Sequence, residues 1–140
     1  MSTTTIPALV TWKPDDNVGH PEIDGQHRRL VEILNSLHEA MLARKTDKQL
    51  SQILDNLVQY TQQHFAAEER LMAQTAYPGI YAHKKLHHEL TAKVVDFRNQ
   101  LRAGRVSLSI ELMHFLKDWL TKHIQGSDRE VGFYLRSKGI

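Results

Sequence analysis

The sequence predicts an all-α protein: an up-down-up-down four-helix bundle with an N-terminal arm and a short C-terminal helix. Three observations lead there. Apolar residues recur at three- and four-residue spacing in four separate segments, the links between segments are short, and histidines and carboxylates interrupt the apolar stripes at core-facing positions. At 140 residues the chain fits one domain with a substantial core and no need of disulfides. The expected division is an arm over residues 1–19, a bundle over about 20–126 and a C-terminal segment over 127–140.

The first stripe is Leu30, Leu34, Leu37 and Met41, with His27 one turn upstream on the same face. Pro21 suits a first helical turn, while Asp24 offers a cap for a later start, with Gly25 weakening the helix between them. The second stripe is Leu50, Leu54, Leu57, Thr61, His64, Glu68 and Leu71. The third is Ile80, His83, His87, Leu90, Val94, Phe97 and Leu101, with Gly104 as its stop. The fourth is Leu108, Leu112, Phe115, Trp119 and His123, with Ser107 as its cap and Gly126 ending or bending it before Asp128. Asp128 to Ser137 is read as a further short helix that offers Val131, Phe133, Tyr134 and Leu135 for docking.

Links around Lys45-Thr46-Asp47, Tyr77-Pro78-Gly79 and Ala103-Gly104-Arg105 favour antiparallel neighbours. In that topology the starts of odd helices and the ends of even helices share one end of the bundle. His27 lies near the start of the first helix, His64 and Glu68 late in the second, His83 and His87 at the start of the third, and His123 at the end of the fourth. These six therefore converge on one level, to which Asp128, five residues beyond His123, can also be brought. His64 with Glu68 and His83 with His87 are each four apart, which puts both members of a pair on one helix face.

Composition narrows the chemistry. Cysteine is absent, so a metal must be held by nitrogen and oxygen. The 18 basic and 16 acidic residues are nearly balanced, and the basic ones are scattered, so no nucleic-acid stripe is present. No segment approaches the ~20 apolar residues of a membrane span, and the N-terminus has no positively charged, apolar leader pattern. A cytoplasmic protein is expected.

Together these residues resemble the hemerythrin family, whose pattern is a lone histidine on helix one, His-x-x-x-Glu on helix two, His-x-x-x-His on helix three and His-x-x-x-x-Asp at the end of helix four. His27, His64 with Glu68, His83 with His87, and His123 with Asp128 match all seven positions. Trp12, Ile23-Asp24-Gly25-Gln26, Phe65, Glu69 and Trp119-Leu120 fit the surrounding pattern. The resemblance implies a non-haem diiron centre bridged by Glu68, Asp128 and an oxo or hydroxo group. His83, His87 and His123 would complete one iron, and His27 and His64 the other, where a position stays open for dioxygen. It further implies reversible dioxygen binding for storage, transport or delivery to an oxygen-using enzyme, in a monomer. Leu30, Phe65, Trp119, Leu120 and Ile124 are the oxygen-pocket candidates, able to exclude water.

Other readings stand beside this one. A single histidine on an apolar face is more often a paired core residue than a ligand. Seven such groups buried without a metal would each cost about 1–3 kcal/mol if unsatisfied. Zinc accepts imidazole as iron does, but a structural zinc is complete with four ligands. His20, His88 and His114 are expected at the surface, and His38, about 16 Å along the first helix from His27, as packing. Competing functions are an oxygen or redox sensor, for which no output module follows Ile140, and a diiron oxidase, peroxidase or nitric-oxide-handling protein. The enzyme readings lack a legible acid-base pair and any Glu-x-x-His motif. Iron storage is a further alternative.

Overall fold

A computed structural model describes residues 8–105 and 110–139, except for the side chains of Glu111, Ile124 and Gln125. Helix α1 spans Pro21–Leu42, α2 Asp47–Gln74, α3 Ile80–Arg102, α4 Ile110–Lys122 and α5 Arg129–Ser137. A 3-10 turn, Pro14–Asp16, lies in the described part of the arm. The expected bundle is present, and the expected cap Ser107 and core residue Leu108 fall outside the described residues.

Local chemistry sets the helix ends. Pro21 occupies the first position of α1, where its missing N–H costs nothing. The cap, however, is His20, which is buried rather than at the surface and whose Nδ1 faces the Ile23 N–H at 3.5 Å. Asp24 is no cap: it lies buried inside the helix and accepts from the Val18 and Gly19 N–H groups at 2.7 and 3.2 Å, tying the arm to α1. Helix α2 begins with a reciprocal box, in which Thr46 Oγ1 accepts from Gln49 N–H and Gln49 Oε1 accepts from Thr46 N–H.

Helices α1, α2 and α3 end alike. Beyond each, one N–H reaches a carbonyl five residues back and the preceding N–H reaches one three back: Lys45 to Ala40 with Arg44 to Met41, Tyr77 to Met72 with Ala76 to Ala73, and Arg105 to Gln100 with Gly104 to Leu101. The turning residue is left-handed in every case, with φ of 56° at Arg44, 55° at Ala76 and 71° at Gly104. Only the third was legible from a glycine.

The fourth helix departs from expectation in two ways. Gly126 neither stops nor breaks it, because the chain runs from α4 through a π-helical turn, His123–Asp128, directly into α5. Its core line is also displaced: Met113, Leu116, Trp119 and Leu120 are buried, whereas Phe115 is 45% exposed. In α5, Val131 and Leu135 are buried as expected, Phe133 is exposed, and the Tyr134 hydroxyl donates to Thr75 O at 2.7 Å.

Two apolar cores result. The larger runs through the bundle and includes Leu30, Leu34, Leu54, Leu57, Phe65, Leu116 and Leu120. The smaller closes one end and consists of Val18, Ile23, Leu71, Met72, Val131 and Leu135. The arm approaches α5 so closely that a Cβ at Gly132 would lie 2.5 Å from Val18 O. On α1, α2 and the fourth helical stretch, the residues between the two cores are His27, His64, Glu68, His123 and Asp128.

Candidate metal centre

The structure brings the seven residues singled out in the sequence together, all of them buried. Their donor atoms form two groups that share Glu68 and Asp128. One group adds His83, His87 and His123; the other adds His27 and His64. The His64–Glu68 and His83–His87 pairs sit one turn apart on α2 and α3, as their spacing requires. His123 and Asp128 need the π turn. In a regular α-helix, residues five apart diverge by about 140°, whereas the extra residue per turn restores them to one face.

The contacts among these groups have the pattern of a site that converges on something other than itself. His27 Nε2 lies 2.6 Å from Asp128 Oδ2 and 3.2 Å from His64 Nε2. His64 Nε2 is 3.1 Å from Glu68 Oε2, and His83 and His123 Nε2 are 3.1 and 3.0 Å from Asp128 Oδ1. His83 Nε2 also touches Glu68 Oε1. Yet both Glu68 oxygens, Asp128 Oδ1 and the Nε2 atoms of His83, His87 and His123 make no hydrogen bond of acceptable direction. Six buried polar atoms at contact distance, aimed past one another, would be costly if nothing else satisfied them. Five imidazoles and two shared carboxylates fit two cations of high coordination number, one with five donor residues and one with four.

Electrostatics point the same way. Burial opposes charge on His64 and His83, but contacts with Asp128 and Glu68 outweigh it and raise both to about 9. Burial and the neighbouring Asp128 charge push Glu68 upward, and its contacts with His64, His83 and His87 overcome them, bringing it to about 2. Asp128 is likewise held well below the ordinary carboxylate range, against the effect of its burial, with the His123 charge the leading favourable cause. Both carboxylates are anionic, and protons on the imidazoles stand where cations could.

Sequence reasoning missed the groups behind the donors. His64 Nδ1–H donates to Gln26 Oε1 at 2.7 Å, and His87 Nδ1–H donates to Glu69 Oε2 at 3.1 Å. Each bond fixes the ring and leaves Nε2 directed at the cluster. The signal was adjacency: Gln26 precedes His27 and Glu69 follows Glu68 in the chain.

Of the pocket candidates, Leu30, Phe65, Trp119 and Leu120 are buried on the inner side of the cluster, while the side chain of Ile124 lies outside the described residues. The Phe65 ring stacks on His87, with centroids 3.7 Å apart and planes at 5°. Trp12 of the arm covers His27 at 6.4 Å. A cavity of about 390 Å³ between arm, α1 and α4 is lined by Trp12, Val31, Lys117 and Leu120, and by none of the seven donors. His88 and His114 are exposed, as expected, and His38 is half-buried. Among the described residues, no helix is long and apolar enough to cross a membrane.

Comparison with known proteins agrees with this geometry. The family model described as Hemerythrin HHE cation binding domain matches residues 18–132. A bacteriohemerythrin of Stenotrophomonas maltophilia is 40% identical over 122 residues, covering 87% of this chain and 78% of that protein. A myohemerythrin of Riftia pachyptila is 31% identical, covering 88% and 91%. A crystal structure of wild-type hemerythrin superposes with a TM-score of 0.86 at 29% identity, over 91% of this chain and 98% of that one. With its fold, its cluster of histidines and carboxylates and its relatives in agreement, the chain belongs to the hemerythrin family.

Proposed function

We propose that the chain binds dioxygen reversibly at a two-iron centre held by His27, His64, Glu68, His83, His87, His123 and Asp128. The observation that carries this reading is the pair of unequal donor groups joined through Glu68 and Asp128. Ferrous ions bound there would supply the electrons that hold dioxygen and recover them on its release. Glu68 and Asp128, which belong to both donor groups, would serve both ions. His83, His87 and His123 would hold one ion, and His27 and His64, being fewer, would leave the other able to take a small exogenous ligand.

The surrounding residues favour a carrier over a catalyst. Leu30, Phe65 and Leu120 offer no titratable group to deliver protons, and their burial keeps bulk water from the open side. Storage, or delivery to an oxygen-using partner, is the proposed use. The arm and α5 share their core with the ends of α1 and α2, which supports a single domain.

Anaerobic loading with ferrous iron, metal counting and optical spectra through cycles of oxygen addition and removal test the proposal. Two irons per chain and a charge-transfer band that appears and vanishes reversibly are expected, with Glu68→Ala losing most of the two-iron occupancy. Irreversible oxidation, or repeated turnover with a reductant, would replace the carrier by an enzyme or a redox sensor. Normal iron content and spectra in Glu68→Ala would overturn the assignment of that bridge.

A further inference from the structure

One buried hydroxyl in the bundle has nothing to bond. Thr61 is 1% exposed, and its Oγ1 makes no hydrogen bond. Helical serines and threonines ordinarily satisfy themselves against a carbonyl of the preceding turn. Ser36 does so with Glu32 O at 2.9 Å and Thr75 with Leu71 O at 2.8 Å. Thr61 does not, although a buried, unsatisfied hydroxyl is costly and valine would fill the same space without that cost.

Its place in the bundle gives the orphan a meaning. His27 and His64 meet at 3.2 Å, which sets α1 and antiparallel α2 in register at the four-donor side of the cluster. Three residues inward, about 4.5 Å along each helix, stand Leu30 on α1 and Thr61 on α2. Three residues before His123 stands Leu120. Leu30, Thr61 and Leu120 thus form the layer directly inside the cluster, with Phe65 in the same core. Trp119, beside Leu120 in sequence, has an indole N–H that is also buried without an acceptor. The layer otherwise offers carbon.

We propose that Thr61 is a specificity-determining residue: its hydroxyl donates a hydrogen bond to the small acceptor ligand that occupies the His27/His64 side of the centre. The inference rests on the two-iron reading above and adds to it the group that tells an acceptor such as dioxygen or azide from an apolar molecule of equal size. Without ligand, the hydroxyl is a standing cost. With ligand, it has its partner.

The test compares wild type with Thr61→Val and Thr61→Ser. Metal-free Thr61→Val should melt at the same temperature as wild type or higher, since an unsatisfied hydroxyl is removed. Loaded with iron, it should keep two irons per chain but release dioxygen and azide roughly three- to ten-fold faster, the range expected for one neutral hydrogen bond. The H₂O/D₂O shift in the vibrational spectrum of bound azide should shrink, and Thr61→Ser should restore both properties. Unchanged release rates and isotope shift in Thr61→Val would overturn this role and leave the two-iron reading intact. A clear fall in the melting temperature of metal-free Thr61→Val would also overturn it, by showing that the hydroxyl is already satisfied within the protein. Wild type that holds no iron pair would sink both.

Discussion

Gln26 and Glu69 make the imidazoles of the centre chemically unequal. The His64 ring leans on a neutral amide and the His87 ring on a carboxylate, which draws its Nδ1 proton and makes Nε2 the stronger donor. Glu69→Gln keeps shape and removes the charge. On the proposed reading it should weaken metal retention by about ten- to hundred-fold, the usual cost of losing such a partner, as read by competition with a chelator. Equal retention would show that Glu69 does no more than orient the ring. At this scale the seven cluster residues were legible because two helical spacings and one topology demanded them together. Their supports were not, since residues beside a candidate donor carry no spacing of their own, and His20 and Asp24 found buried roles only through the return of the arm across α1.

Helix ends and phases decided what was legible at the scale of elements. Residues 112, 115, 119 and 123 satisfy a helical period, and so do 113, 116, 120 and 123. The sequence reading chose the first line and misplaced Phe115. His123 belongs to both, so the centre survived the error. The π turn was invisible for a related reason: Gly126 reads as a stop, while the five-residue separation of His123 and Asp128 makes sense only once the helix is known to continue. The left-handed residues Arg44 and Ala76 were equally hidden, because the motif that ends α1 and α2 is normally announced by glycine. A non-glycine residue there carries a penalty of about 1–2 kcal/mol, partly offset by the entropy glycine loses on folding. Arg44→Gly and Ala76→Gly should therefore each stabilise the protein, by about 0.5–1 kcal/mol in denaturant titrations. A loss of stability in both would show that the αL strain is already compensated by the native side chains.

The whole molecule is a polar layer between two apolar ones, and its stability should depend on pH differently with and without metal. His64 and His83, raised to about 9 from 6.5, stabilise the metal-free fold fully below pH 6.5 and cease to do so as pH rises through 9. Glu68, lowered to about 2 from 4.5, stabilises it above pH 4.5 and ceases to do so as pH falls through 2. The metal-free protein should thus be at its best between those limits. Cations must displace the imidazole protons, so their binding should strengthen from pH 6.5 to 9. Melting temperatures of the two forms should draw apart across that range; a constant gap would mean that the imidazoles bind metal without losing protons. The bundle itself was legible throughout, since four periodic stripes and short links leave few other arrangements.

The end core of Val18, Ile23, Leu71, Met72, Val131 and Leu135 has a consequence for traffic. It stoppers the centre from one side, and the leucine layer closes it from the other. A small apolar gas can percolate through packed side chains on the timescale of their rotamer motion, but a hydrated ion cannot cross either layer without the fold opening. On the proposed reading, the fold separates two exchanges in time: gas passes on the clock of side-chain motion, and iron on the slower clock of local opening of the fold.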